Sequence, residues 1–315
     1  MFAARSIFTP DELLMLKRKS DLRGAWMVFH AWAVIFTAMA MFVWWPNPAT
    51  FLLAVAIIGA RQLGLAILAH DAAHGLLFNS MRLNDFAGSW LTDNLLFADL
   101  YAYRTYHLIH HRFTQQKNDP DLGLSAPFPI TRESLKRKII RDLTGQTAYK
   151  QRVALIRRSF GKPGEPWSTR LAKGWARLHG AIISNAVLLT ILALTGHWWL
   201  YPVLWMVPYF TFFSMVERFR SIAEHSMVTD HDDPFRNTRT TYANWFARAF
   251  LAPYFVNYHL EHHLVIAVPN YNQPKMHAML LAKGYGPRME IKPGYGAILS
   301  LAASKPAGSA LRAAA

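Results

Sequence analysis

The sequence of 315 residues contains no cysteine. Disulfides, thiolate zinc sites, thiolate-held iron–sulfur clusters and cysteine nucleophiles are therefore excluded within this chain. Charged residues are also scarce: they make up 17% of the sequence, whereas soluble domains carry about 25%. Together with a hydrophobic content of 52%, this scarcity is typical of a membrane protein, which needs little solvated surface.

Four apolar runs are long enough to cross a hydrocarbon core of roughly 30 Å, which takes about 20 helical residues. They occupy residues 24–45, 49–69, 180–200 and 201–217. The turn WPNP (45–48) joins the first two runs, and the segment GHWWLYP (196–202) is the connection between the last two. We therefore expect an all-α integral membrane protein with four transmembrane helices in two hairpins and a cytoplasmic helical cap. Residues 1–300 are predicted to form one domain, and the Ala-rich residues 301–315 a flexible tail.

Acidic residues are few, so that 34 Lys and Arg face 19 Asp and Glu and the net charge is +15. Five of the basic residues precede the first span, 17 lie in the loop 75–179 and 11 follow residue 217. The positive-inside rule then predicts that both termini and the long loop are cytoplasmic, in a multi-pass protein of the inner membrane. No nucleic-acid-binding motif accompanies the charge, so nucleic acid is not an expected partner.

Histidines supply the potential metal ligands that cysteine does not. Three clusters stand out: box one is HDAAH, box two is HLIHH and box three is HLEHH. On a helix, residues three or four apart share a face, so the rings of each box can converge on a common centre. The ligand candidates are His70 and His74 of box one, His107, His110 and His111 of box two, and His259, His262 and His263 of box three.

Eight imidazoles are too many for one ion, since a zinc site takes about four ligands. Two metals are therefore expected, at a site dominated by histidine. Imidazole suits iron, zinc, copper and nickel, so the ligands alone do not select the metal. Five other histidines lie outside the boxes and are interpreted as structural or incidental: His30, His179, His197, His231 and His277.

In these boxes and their placement, the chain resembles the membrane fatty-acid desaturase and hydroxylase superfamily. Box two and box three match the HxxHH pattern of this superfamily. The segments NDPD (118–121), after box two, and VPNYNQPKMHAML (268–280), after box three, resemble the segments that flank these boxes in the superfamily. The resemblance runs from about residue 25 to about 285. It implies a non-haem centre of two iron ions that uses O2, and it adds His225, after the last span, as a ninth ligand. Ser221 stands where the stearoyl-CoA type has an asparagine that holds one metal through water.

The resemblance implies desaturation of a long fatty-acyl chain, linked to a membrane lipid, as the leading function. Box one has the HxxxH spacing that is commoner in lipid-linked acyl desaturases, and no fused cytochrome signature is present. Electrons are therefore expected from a separate donor, a ferredoxin or a small cytochrome. A hydroxylase or ketolase of an alkane, carotenoid or sphingolipid is the alternative. A metal-binding membrane protein without catalysis is a remote third possibility.

Two further sets of residues are expected near the metals. Metal-bound histidines usually donate their other N–H to a carboxylate or carbonyl, and the candidate acceptors are Asp71, Asp119, Asp121, Glu224 and Glu261. Arg61 and Gln62 interrupt the second span, where polar side chains are costly and often functional. They are interpreted either as polar contacts deep in a substrate cavity or, preferably, as side chains that form interhelical hydrogen bonds or snorkel towards the membrane surface.

Overall fold

The computed structural model describes residues 4–306, and helices account for nearly all of its regular structure. The α-helices of the described residues are α1 Pro10–Leu16, α2 Asp21–Trp44, α3 Pro48–Ala73, α4 Met81–Trp90, α5 Leu100–Phe113, α6 Leu122–Ser125, α7 Arg132–Leu143, α8 Gln146–Ser159, α9 Trp167–Leu194, α10 Ser214–His225, α11 Trp245–Phe250, α12 His259–Leu264, α13 Gln273–Ala282 and α14 Tyr295–Ala302. Short 3₁₀ turns lie at Ala4–Ser6, Asp93–Leu96, Pro253–Phe255, Asn270–Asn272 and Gly286–Arg288. Two strands, β1 Thr240–Thr241 and β2 Ile291–Lys292, pair in parallel.

The contacts divide the chain into two compact units. The first unit comprises Met1–Ser20, Arg104–Ile139 and Glu217–Ala315, and the second comprises Asp21–Tyr103 and Ile140–Val216. The single domain expected over residues 1–300 stays a prediction. Of the expected tail, residues 301–306 include the end of α14 and Ser304, which forms an isolated bridge with Thr131. Residues 307–315 lie outside the described residues.

The second unit contains the long apolar helices. Among the described residues, three stretches are long and apolar enough to cross a membrane: Pro10–Trp44, Pro48–Ala73 and Trp167–Leu194. They cover residues 24–44 of the first predicted span, all of the second and residues 180–194 of the third, whose last six residues lie beyond α9. The turn before α3 is built by Asn47, whose side chain accepts hydrogen bonds from the N–H groups of Ala49 and Thr50 and so caps the helix.

The fourth predicted span, residues 201–217, is not an unbroken α-helix. It consists of two π-helical segments, Tyr201–Met206 and Tyr209–Phe213, followed by the start of α10. Pro202 and Pro208 lie in this stretch, and a proline cannot donate the hydrogen bond that the α-helix requires. The wider π register accommodates these positions. The four-span arrangement therefore stays a prediction.

Polar side chains join the apolar helices of the second unit. Asn185 on α9 donates to the carbonyl of Asn94 (3.1 Å) and accepts from the Tyr201 hydroxyl (3.0 Å) and the Trp205 indole (3.2 Å). Gln62 on α3 donates to the carbonyl of Trp205 at 2.8 Å. Interhelical hydrogen bonds of this kind hold membrane helices together where no water competes. Gln62 thus makes the preferred type of contact, whereas a substrate-cavity role for it and for the buried Arg61 stays a prediction.

The first unit has its own apolar core, to which α1, α12 and α13 contribute. Its buried members are Ile7, Phe8, Leu13, Leu16, Phe235, Leu260, Leu264, Val265, Val268, Met276, Leu280 and Met289. Helix α12 carries box three, so its leucines pack in this core while its histidines remain available for another face. The packing of Leu260 and Leu264 in the core therefore sets the orientation of the histidines on α12.

Asp93 is a buried acid in the second unit. It is 5% exposed, and its Oδ2 accepts no hydrogen bond from any described residue. Burial, reinforced by the negative charge of Asp99, raises the pKa of Asp93 to about 8. The folded chain therefore binds more protons than the unfolded chain between about pH 4 and pH 8, and stability declines as the pH rises through this window.

Replacing Asp93→Asn should remove this contribution to the pH dependence of stability. We expect the thermal unfolding midpoint of detergent-purified protein to fall less between about pH 5.5 and pH 8 than it does in the parent chain. The exposed Asp11→Asn is the matched control and should retain the parent slope. A slope unchanged by Asp93→Asn would contradict the assignment of a raised pKa.

Candidate metal centre

Four buried or partly buried histidines of the first unit form cluster A. Its members come from α5, α10 and α12: His110, His225, His259 and His263. One ring nitrogen from each lies within 4.8 Å of the others. The Nε2 atoms of His225 and His259 are 2.8 Å apart, and those of His259 and His263 are 3.1 Å apart.

These distances fit ligands that share one ion. Two nitrogens that bind an ion at about 2.1 Å, at a right angle to each other, are about 3 Å apart. Burial lowers the pKa of His225 and His263 well below the usual value, and neighbouring histidines lower it further. Both rings are therefore neutral, which is the form that binds metals. His110 Nε2 is also buried, and it forms no hydrogen bond with any described residue. This is expected of a nitrogen whose lone pair faces a metal.

A second group of three histidines, cluster B, lies in the same unit. It consists of His107, His111 and His262, whose ligand atoms again lie within 4.8 Å of one another. His111 Nε2 is 2.9 Å from His107 Nε2 and 3.0 Å from His262 Nε2. Box two and box three each contribute to both clusters, because adjacent histidines on one helix point in different directions. The donor set therefore fits two ions.

Box one lies in the second unit. His70 is 2% exposed and sits in the last turn of α3, and His74 caps the same helix. Their ring centroids are 4.8 Å apart. Asp71 is fully buried, with its Oδ1 3.5 Å from His70 Nδ1. The participation of His70 and His74 in the metal centre stays a prediction.

The outer face of His110 is held by the acidic loop after α5. Asp119 Oδ1 lies 2.8 Å from His110 Nδ1, and its Oδ2 accepts from the backbone N–H of Gln115 at 2.8 Å. Burial opposes ionisation of Asp119, but the hydrogen bond with His110 lowers its pKa overall. Asp121 lies farther from the same nitrogen, at 3.7 Å, and accepts from the Tyr106 hydroxyl. Both carboxylates face Nδ1, so they orient the ring and leave Nε2 to a metal.

Glu224 occupies a different position from the one expected of an outer partner. Its Oε2 is 3.6 Å from His259 Nε2, the nitrogen that faces the other ligands of cluster A. Its Oε1 accepts from Arg220 Nε at 2.6 Å. Burial raises the pKa of Glu224 to about 7, although Arg220 opposes the rise. Glu224 is therefore on the metal-facing side of His259, whereas no contact of Ser221 with the cluster is observed among the described residues.

Glu261, the acid within box three, points away from both clusters. It is fully buried, accepts from Thr240 Oγ1 at 2.5 Å, and has its Oε1 2.6 Å from His277 Nδ1. His277 lies outside the boxes and is interpreted from the sequence as structural or incidental. No short motif joins it to Glu261, which is 16 positions away. Asn257 adds a second attachment, since its side chain donates to the carbonyl of Thr241 at 3.0 Å. Together these bonds tie box three to β1 and α13.

Arg239 is another contributor that the sequence analysis missed. It is 1% exposed and donates to the carbonyls of Ala223 (3.2 Å) and Met227 (2.9 Å), on either side of His225. Its Nε lies 3.4 Å from Glu290 Oε1. A cation that binds carbonyls at a helix C-terminus stabilises that end. Arg239 therefore fixes the segment that presents His225, which no local pattern around residue 239 indicates.

The long apolar helices and the paired histidine clusters define a membrane protein with a histidine-rich metal site. The fatty acid desaturase family matches residues 44–292 of the chain. The chain belongs to this family and is therefore a desaturase-family oxidoreductase of the membrane. The resemblance expected from the histidine boxes is thereby confirmed.

Two curated relatives align with most of the chain. The dihydrorhizobitoxine desaturase of Bradyrhizobium elkanii is 29% identical over 297 residues, which cover 88% of this chain and 78% of the relative. The beta-carotene ketolase of Paracoccus sp. (strain PC1) is 25% identical over 271 residues, which cover 85% of this chain and 93% of the relative. Both are distant, and they differ in the reaction that their names describe.

Removing the carboxylate that orients His110 should weaken metal binding. We expect Asp119→Ala to lose its bound metal to a chelator at concentrations about 10- to 100-fold lower than the parent chain requires, because losing such a partner typically costs that much affinity. The metal retained by the purified protein is measured by mass spectrometry after dialysis against the chelator. Asp11→Ala, at an exposed position of α1, is the control. Equal retention by Asp119→Ala and the parent would contradict the orienting role.

Proposed function

We propose that this protein catalyses the O2-dependent desaturation of a long fatty-acyl chain at a centre of two histidine-bound iron ions. The observation that carries the proposal is the pair of clusters in the first unit, whose ring nitrogens approach one another to about 3 Å. Family membership supports iron and O2 as the reactants that such a centre uses. His70 and His74 are proposed to complete the ligand set of cluster B.

The bound irons would supply the oxidising power to remove hydrogen from an unactivated carbon, which amino-acid side chains do not provide. The chain's own residues keep the site in order. Buried, neutral His225 and His263 offer lone pairs without proton release. Asp119 holds the proton on His110 Nδ1. His110, His259 and His262 are at most 2% exposed, so the surrounding protein excludes water from the ligand nitrogens.

The overall reaction removes one hydrogen from each of two adjacent carbons. Two electrons and two protons join these hydrogens in reducing O2 to two molecules of water. The chain lacks cysteine, so it holds neither a thiolate-bound iron–sulfur cluster nor a dithiol that could supply these electrons. A separate donor, a ferredoxin or a small cytochrome, is proposed to supply them. Such donors are often acidic, and the basic loop 75–179 would attract one electrostatically.

The proposed topology places four spans beneath a cytoplasmic site. The helices α2, α3 and α9 support the first three spans, and the π-helical stretch from Tyr201 to Phe213 is proposed as the core of the fourth. With 33 of 34 basic residues outside the predicted spans, both termini and the active site are proposed to face the cytoplasm. This position suits a membrane lipid as carrier of the acyl chain.

A ketolase or hydroxylase reaction on the same centre is the second candidate. The similarity to a beta-carotene ketolase over 85% of the chain favours it specifically. The somewhat higher identity to a desaturase favours the leading proposal. The two reactions start with the same removal of hydrogen and differ in whether oxygen is inserted into the product.

Expression in a host of known lipid composition, followed by lipid mass spectrometry, tests the proposal. New acyl chains that lack two hydrogens are expected. New hydroxyl or keto groups without unsaturation would show that the second candidate is the correct function.

His262→Ala should give no product while the protein remains in the membrane, since a ligand of cluster B is lost. His231→Ala, in an exposed loop, should retain the parent yield.

A further inference from the structure

A cleft of about 480 Å³ lies within the second unit. Residues of α4, the Asp93–Leu96 turn, the start of α5 and α9 line it. Small-molecule sites typically measure about 300–1,000 Å³. The cleft is thus large enough for a polar headgroup of ordinary size.

The walls of the cleft combine both signs of charge with aromatic rings. Arg82 and Arg177 bring two guanidinium groups, and Asp85 and Asp99 bring two carboxylates. Among the aromatic side chains, Trp90 and Tyr101 also line the cleft. The two guanidinium groups and the two carboxylates favour a ligand that carries both charges and is neutral as a whole, and His179 adds an imidazole to the lining.

The inner wall of the cleft is a close contact between α9 and the Asp93–Leu96 turn. A Cβ placed on Gly180 would lie 2.7 Å from the Asn94 side chain, so a larger residue there would force that side chain to shift. Asn185 also holds the Asn94 carbonyl by a hydrogen bond of 3.1 Å. Both Gly180 and Asn94 are lining residues. Contacts between two helical elements therefore form this wall.

The cleft lies at an apolar–polar boundary of the chain. Arg177 comes three residues before the apolar run that begins at Gly180. Helix α4 exposes Met81 (49%), Leu83 (45%) and Phe86 (54%), as a helix does when it rests on the apolar edge of a bilayer. Headgroups of membrane lipids occupy this depth, just outside the hydrocarbon core.

We propose that this cleft binds the phosphate–ammonium headgroup of a zwitterionic membrane phospholipid. The guanidinium groups of Arg82 and Arg177 would bind the phosphate, since arginine pairs with phosphate through two parallel hydrogen bonds. The ammonium would lie against Asp99 and the faces of Trp90 and Tyr101, which attract cations. Phosphatidylglycerol, which is anionic, has no ammonium to offset the carboxylates. This proposal goes beyond the desaturation reaction, because it concerns lipid binding and is tested by lipid retention without any measurement of activity.

The full chain, purified in detergent, is first mixed with phosphatidylethanolamine and phosphatidylglycerol of identical acyl chains. Native mass spectrometry then measures which lipid the protein retains. We expect phosphatidylethanolamine to be retained preferentially. The double variant Arg82→Gln/Arg177→Gln should weaken its retention by about tenfold or more, because each charge-assisted bond contributes substantially. The control pair Arg157→Gln/Arg158→Gln removes the same charge from α8, outside the cleft, and should leave retention unchanged.

Asp99→Asn distinguishes recognition of the ammonium from a general attraction to lipid. The asparagine can still accept the hydrogen bond from the Ala102 N–H that caps α5. We expect it to lower phosphatidylethanolamine retention and to raise phosphatidylglycerol retention. Tyr101→Leu, at a side chain that is 56% exposed, should weaken phosphatidylethanolamine alone, by about two- to tenfold.

Three results would overturn the proposal. The first is equal retention of both lipids by the parent chain. The second is a loss of phosphatidylethanolamine in the α8 control pair as large as the loss in the arginine pair of the cleft. The third is unchanged phosphatidylethanolamine retention in both the arginine pair of the cleft and Tyr101→Leu. A competition with free phosphoethanolamine separates the two sources of the headgroup. If free phosphoethanolamine displaces the lipid only at concentrations much higher than that of the lipid, the ligand is a membrane lipid. If it displaces the lipid at an equal concentration, the site binds the free headgroup and the proposal of a membrane lipid is wrong.

Discussion

The need to bring ring nitrogens of several histidines to about 3 Å from a neighbouring ring nitrogen, away from water, dominates this structure. Where Nδ1 is held from outside, as at His110, Nε2 directs a lone pair at its neighbours, and a shared cation offsets the repulsion between such lone pairs. The surrounding residues serve that arrangement. Asp119 fixes one ring from outside, Arg239 fixes the backbone on either side of His225, and Glu261 anchors box three from the face opposite to its ligands.

Helix α12 demonstrates how six residues meet two demands. Leu260 and Leu264 are buried in the apolar core of the first unit, while His259, His262 and His263 point to the clusters. Glu261 uses the remaining direction to reach His277 and Thr240. Substituting any of these side chains would disturb a helix too short to be stable without its packing. The geometry of the site is therefore inseparable from the core beneath it.

The second unit depends on polar contacts inside an apolar setting. Asn185 and Gln62 link α9, α3 and the π-helical stretch through hydrogen bonds that water does not weaken. The same Asn94 that Asn185 holds also forms the inner wall of the proposed headgroup cleft. These contacts hold the helices of the second unit together at the wall of that cleft.

The sequence by itself determined the helical class, three of the long apolar helices and the identity of the histidine boxes, since hydropathy and helical spacing are local properties. It also predicted Asp119 near the ligands, because a short loop connects it to box two. Only the tertiary structure decided the π-helical form of residues 201–213, the metal-facing position of Glu224 and the roles of His277 and Arg239. These depend on contacts between residues far apart in the chain, and such contacts leave no periodic trace. The division of the boxes between clusters A and B likewise follows from how the helices pack.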